Sequence, residues 1–140
     1  MGKSIFDSSF KRSKTFDIEG INFDVATQRG TCKLVSKHHE YVLIWSITSY
    51  PTETPSMPGA PYPLLVSYTI FDGKDKCDKS LKSMSGRFVY ELNSGTAPNN
   101  NSLGLPFGTY NSLAHNNNSH NSLSVFFCLV EDEMEITIYK

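Results

Sequence analysis

The stretch Leu123-Ser-Val-Phe-Phe-Cys-Leu-Val130, followed by Glu131-Asp132 and then Glu133-Met-Glu-Ile-Thr-Ile-Tyr139, decides the fold class of this chain. The first part is a long apolar run. The last part alternates Met134, Ile136 and Ile138 with polar residues, which is the two-residue period of a β-strand. Two residues between such runs are enough for a tight turn. The sequence therefore predicts an antiparallel hairpin at its carboxy-terminal end.

Five further stretches, 16–25, 31–35, 41–48, 64–71 and 87–92, are rich in β-branched and aromatic residues and are also predicted strands. A short helix is predicted over 75–84, where Cys77, Leu81 and Met84 recur at helical spacing. We therefore expect a mainly β or α+β fold: a single-domain antiparallel sheet or sandwich of six or seven strands, with at most one or two short helices. The residues expected to be largely buried are Val42, Ile44, Leu65, Ile70, Phe126 and Ile138.

The chain divides into a flexible basic arm, 1–15, and a single β-rich domain, 16–140. The arm carries four basic residues against Asp7 alone, a composition typical of disorder. Two long loops are predicted within the domain. The segment 50–63 contains four prolines, which interrupt regular structure, and the segment 93–121 is rich in asparagine and serine.

Composition and motifs exclude several classes of function. The formal net charge of −1 argues against a protein that coats nucleic acid with its whole surface. Three widely spaced cysteines without a Cys-x-x-Cys pair predict neither a disulfide framework nor a zinc site. No nucleophile elbow, phosphate loop or zinc-protease motif is present. We therefore predict a non-enzymatic protein with no cofactor, no bound metal and no small-molecule substrate.

Two segments are candidate binding sites. The arm could contact an anionic membrane surface through its charges and its aromatic rings, although it could equally be a solvated tail. The proline-rich loop could dock on a protein partner as a preordered ligand, although it could equally be a plain connection. The candidate membrane contacts are Lys3, Phe6, Phe10, Lys11, Arg12 and Lys14. The candidate protein contacts are Pro55, Met57, Pro58, Pro61 and Tyr62.

The carboxy-terminal half resembles rhabdovirus matrix proteins. The resemblance lies in Gly86-Arg-Phe-Val-Tyr90, Gly95-Thr-Ala-Pro98 and Met134-Glu-Ile-Thr-Ile-Tyr139, after a basic amino-terminal arm. It covers about half of the chain, which is shorter and less basic than matrix proteins. The resemblance implies an antiparallel sheet with a couple of helices, in a virion protein that self-associates, lies under the lipid envelope and condenses the nucleocapsid.

Together these observations predict a matrix-like viral assembly protein. Its expected partners are a second copy of itself, an anionic membrane, and the viral nucleocapsid or a host protein. Its expected location is intracellular, at the inner membrane face of the host cytoplasm and in the virion, and not secreted. The alternative is a β-sandwich binding module, similar to plant-virus movement proteins, that contacts nucleic acid or a protein through its long loops.

Overall fold

The computed structural model shows eight β-strands joined in chain order. It describes residues 5, 13–49, 61–73, 81–93, 103, 105, 108–119 and 121–139, with the backbone alone at 49, 61–63 and 90–93. The strands are β1 (Lys14–Asp24), β2 (Arg29–Val35), β3 (Glu40–Ser49), β4 (Pro61–Asp72), β5 (Ser83–Asn93), β6 (Gly108–Asn116), β7 (Ser122–Val130) and β8 (Glu133–Tyr139).

The strands form a closed barrel in which every neighbouring pair is antiparallel. The first and last strands close it, with Lys14 opposite Ile136 and Asp17 opposite Glu133. Strand β1 bends at a register shift between Glu19 and Asn22, where Gly20 has a φ of +61°. Glycine adopts that left-handed conformation without the steric penalty of a side chain. The bend lets β1 pair with β8 through its first half and with β2 along most of its length.

The expected open sheet or sandwich of six or seven strands is wrong, because the structure is a closed barrel of eight. All seven predicted strands are present, and the eighth, β6, lies inside the segment 93–121 that was predicted as a loop. Its outward positions include Thr109, Asn111 and His115, and its inward positions include Ser112 and Ala114. Because these inward residues are small, the alternation of buried and exposed positions is not visible as an alternation of apolar and polar residues. The structure contains no helix among its described residues. Ser83 and Met84, the end of the predicted helix, belong to β5, and residues 74–80 lie outside the described part.

Alternation along each strand separates a filled interior from an outer wall. On β3 the inward residues Tyr41, Leu43, Trp45 and Ile47 are all buried. Of the six residues expected in the core, Val42, Ile70 and Ile138 are buried. The other three, Ile44, Leu65 and Phe126, are only partly buried, because their strands turn these positions outward.

Both ends of the barrel are covered by residues far away in sequence. Ile5 is buried at one end, and its backbone N–H donates to the hydroxyl of Tyr41 over 3.1 Å. Leu103 and Leu105, from the β5–β6 connection, are buried at the other. There the indole N–H of Trp45 donates to the carbonyl oxygen of Leu103 at 3.2 Å. The apolar interior is thereby shielded from water beyond the wall itself.

Strand β4 begins at Pro61, inside the segment 50–63 that was predicted to be irregular. Pro61 pairs with Asn93 and Pro63 with Glu91 on β5, whereas the pairing of β4 with β3 ends at Leu64. This part of β4 thus has a described strand on one side only. Proline lacks an N–H group and is tolerated in a strand where one edge needs no ladder bond.

Gly30 gives a direct test of the interior packing. Its position on β2 faces inward, and a methyl group there would overlap the indole ring of Trp45. We expect Gly30→Ala to lower the free energy of unfolding by about 1–3 kcal/mol, because overpacking forces side chains off their rotamers. Trp45 is the only tryptophan in the chain, so its fluorescence reports the change during urea unfolding. A Ser67→Ala control, on the exposed wall, should leave the transition nearly unchanged.

Candidate functional site

Among the described residues, the interior of the barrel is a packed core. An eight-stranded barrel is wide enough either to be filled by side chains or to hold one small ligand. Here the cavity among Trp45, Tyr68, Phe88, Phe127 and other apolar side chains is about 20 Å³. That is little more than one water molecule needs. The larger spaces that the described residues line are grooves on the outer face.

One polar network crosses the interior near β5 and β6. The hydroxyl oxygen of Ser112 lies 2.7 Å from that of Tyr68 and 3.1 Å from the carbonyl oxygen of Arg87. A carbonyl only accepts, so Ser112 donates to Arg87 and Tyr68 donates to Ser112. Burial raises the pKa of Tyr68 to about 12, although the bond to Ser112 opposes the shift. Tyr68 therefore stays a neutral donor that ties β4 to β6 beneath β5.

Cys32 is buried on β2, and desolvation raises its pKa from 9.0 to about 12. The thiolate is the nucleophilic form of cysteine, and burial suppresses it here. Cys32 therefore serves as a small apolar group of the core.

At its described outward positions, the outer wall of β4–β7 carries little charge; we call these positions the neutral wall. Its outward positions are 65–71 on β4, 85–89 on β5, 109–115 on β6 and 122–130 on β7, and among these described side chains none is a carboxylate. Serine, threonine, asparagine and aliphatic residues occupy most of them. Arg87 is exposed on β5, and His115 is exposed on β6. Arg87 lies opposite Leu113, and Leu113 is two residues from His115 on the same strand. The side chains of Arg87 and His115 are therefore diagonal neighbours across the strand pair.

Leu113 stands at the centre of the neutral wall. It is 79% exposed although it lies in the middle of β6. A groove of about 800 Å³ runs along one side, lined by Leu65, Arg87, Val89 and other residues of β4–β6. A second groove, of about 230 Å³, runs along the other side toward Phe126 and Tyr139. Exposed apolar residues with a polar surround are typical of protein interaction surfaces.

The outer face of β1 and β8, next to β7, carries negative charge; we call Asp17, Glu133 and Glu135 the acidic wall. Asp17 on β1 is paired in register with Glu133 on β8, and Glu135 is two residues further along β8. Like charges directly opposite each other on neighbouring strands are destabilising. Within the described residues the ion pair that forms is Lys33–Glu40, at 3.5 Å, and it includes none of these three carboxylates. The acidic wall is therefore uncompensated within this part of the chain.

The residues predicted from sequence as binding contacts fall largely outside the described part. Lys3, Phe6, Phe10, Lys11, Arg12, Pro55, Met57 and Pro58 all lie there. Lys14 is the first residue of β1, while Pro61 and Tyr62 belong to β4. Within the arm, Ile5 is buried, and the hydroxyl of Ser13 forms a hydrogen bond with the hydroxyl of Thr137. The arm is thus attached to the barrel at two points.

The histidines that the structure describes do not form a common site. His39 stacks on Tyr41 at 5.7 Å between ring centres, and His115 lies on the neutral wall. No group of three or more potential ligands occurs among the described histidine, cysteine and acidic residues. The structure therefore points to no metal centre in this part of the chain.

Sequence reasoning missed Arg87 and Leu113 as site residues. Arg87 was visible as one outward position of an alternating strand, but nothing in the sequence showed which side chains of β4 and β6 would surround it. Leu113 lies in an asparagine-rich segment. The alternation of Tyr110, Ser112 and Ala114 with polar neighbours was the available signal, and it is weak because only the tyrosine is large.

Comparisons with known proteins assign no family to this barrel. No protein-family model, no curated protein and no solved structure matches the chain. Its function must therefore be inferred from its own surface.

Among the described residues, no helix is long and apolar enough to span a bilayer.

Burial of Cys32 predicts how stability depends on pH. The unfolded chain releases the thiol proton near pH 9, whereas the folded chain holds it to about pH 12. The stabilisation is therefore complete below pH 9 and is lost as the pH rises, by at most about 1.4 kcal/mol per pH unit. We expect Cys32→Ala to show a shallower decline above pH 9 in urea unfolding. A Cys128→Ala control, with the thiol removed from the outward face, should keep the parent's slope.

Proposed function

We propose that this chain is a non-enzymatic assembly protein that associates with copies of itself through the neutral wall. The single observation that carries the proposal is Leu113, a leucine 79% exposed at the centre of a strand. Removing a large apolar side chain from water is the main driving force of association. Leu113 contributes to this driving force when a partner covers its side chain.

The surroundings of Leu113 support a contact between proteins. The grooves on its two sides are lined by Val89, Phe126 and Tyr139, and serine and asparagine side chains surround them. Interfaces combine an apolar centre with a polar rim and few charges at the core. The neutral wall has this composition, whereas the β1–β2 side of the barrel carries charges of both signs.

The filled interior favours the outer wall as the working surface. A cavity of about 20 Å³ leaves no internal site for a substrate. The buried Cys32 and Tyr68 stay protonated and do not act as nucleophile or base at neutral pH. The chemistry available to the described residues is therefore that of contact between surfaces.

The matrix-like role expected from sequence belongs to the same class. Within it, copies assembled through the neutral wall would present their basic arms to an anionic membrane or to a nucleocapsid. The alternative, a binding module for nucleic acid or a host protein, would use the same wall for a different partner. Whether the purified chain associates with itself distinguishes the assembly protein from the binding module.

Leu113→Ser tests the proposal. We expect self-association, measured by sedimentation over a wide concentration range, to weaken at least about tenfold, because a central apolar contact is lost. The matched control is Val25→Ser in the β1–β2 turn, since Val25 is 73% exposed but far from the neutral wall. It should associate like the parent. A parent that stays monomeric, or a Leu113→Ser variant indistinguishable from it, contradicts the proposal.

The membrane role of the arm has its own test. Replacing Lys3, Lys11 and Arg12 by alanine should weaken binding to anionic liposomes and leave the fold intact. Each basic residue near such a surface contributes about 1 kcal/mol, and added salt should weaken the parent's binding in the same way. Neutral liposomes are the control. Equal binding of parent and variant to anionic liposomes would contradict the proposed membrane role of the arm.

A further inference from the structure

The centre of the neutral wall lies away from the acidic pair, although β7 borders β8. In a closed barrel of eight strands in sequence order, β5 is diametrically opposite β1. Arg87 on β5 therefore points away from Asp17 on β1, and these two side chains cannot pair within one copy.

The two walls are complementary in charge. The neutral wall offers Arg87 and no carboxylate among its described side chains, whereas the acidic wall offers Asp17, Glu133 and Glu135 with no ion pair inside the described part of the chain. The guanidinium group binds carboxylates with paired hydrogen bonds. A guanidinium placed between Asp17 and Glu133 would also relieve the repulsion that their register imposes.

We propose that the neutral wall of one copy docks on the acidic wall of the next, with Leu113 at the centre and Arg87 against the Asp17–Glu133 pair. This rests on the proposed function and specifies its partner surface. Because the two surfaces differ, each added copy exposes a fresh wall of each kind. Such a heterologous contact, when its rotation does not close a ring, builds open-ended chains rather than closed dimers.

Two charge reversals test the arrangement. Arg87→Glu disables the neutral wall and leaves the acidic wall intact, and Glu133→Lys does the reverse. Glu133→Lys also gives Asp17 an opposite charge across the strand pair, so its thermal midpoint should equal or exceed the parent's. Lys37→Glu, at an exposed position between β2 and β3, repeats the charge change of Arg87→Glu away from both walls.

In sedimentation velocity, the parent and Lys37→Glu should grow in mass with concentration beyond two chains, and added salt should reduce that growth. Each wall variant alone should associate at least about tenfold more weakly than the parent. In an equal mixture of Arg87→Glu and Glu133→Lys, one contact joins two intact walls and the other sets the two reversed, opposite charges against each other. The mixture should therefore regain growth in mass that neither variant shows alone.

Several results would overturn the head-to-tail arrangement while leaving self-association in place. These are a parent whose mass stops at two chains, a wall variant that assembles like the parent, and a mixture that stays monomeric. Loss of assembly in the variant with alanine at Lys3, Lys11 and Arg12 would show that the acidic wall binds the arm of another copy and not Arg87. That result would also overturn the head-to-tail arrangement. A parent that is monomeric at every concentration overturns both this arrangement and the proposed function.

Discussion

Pairing between the first and last strands is the constraint on which the rest of the structure depends. Phe16 opposite Met134 and Asp17 opposite Glu133 join residues more than a hundred positions apart. Without this pairing β1 and β8 would be open edges, and exposed edges invite uncontrolled association. Closure also defines an inside for every strand. The same pairing places two carboxylates opposite each other on the outside, so the step that completes the fold creates the acidic wall.

The filled interior and the two outer walls are linked consequences of closure. Trp45 reaches its place because Gly30 on the neighbouring strand has no side chain, and the carbonyl oxygen of Leu103 accepts its indole hydrogen. With the large aromatic residues inside, the outer positions are left to small polar residues and a few aliphatic ones. Leu113 and Arg87 are exposed and take no part in packing the interior. In the proposed assembly, a second copy covers both side chains.

Much of the strand content was predictable because alternation is local. Met134, Ile136 and Ile138 share one face whatever the rest of the chain does, and seven strands were found in this way. The eighth was missed because its inward residues Ser112 and Ala114 are small; Ser112 bonds the Tyr68 hydroxyl, and Ala114 lies where a methyl group added at Gly86 would meet it. Small inward residues carry little hydrophobic signal. The candidate site was missed for a related reason, since Arg87 and Leu113 become neighbours only when β5 and β6 pair.

By itself the sequence determined the antiparallel β character of the chain and the two-faced pattern of most strands, because both follow from backbone geometry and residue type within a few positions. Only the tertiary structure decided that the sheet closes, which face of each strand is inside, and that Ile44, Leu65 and Phe126 turn outward. It alone set the acidic residues of β1 and β8 beside one another on the outer face, away from Arg87 on β5. These features depend on pairings between residues distant in sequence, whose free energy comes from burying all eight inward faces together.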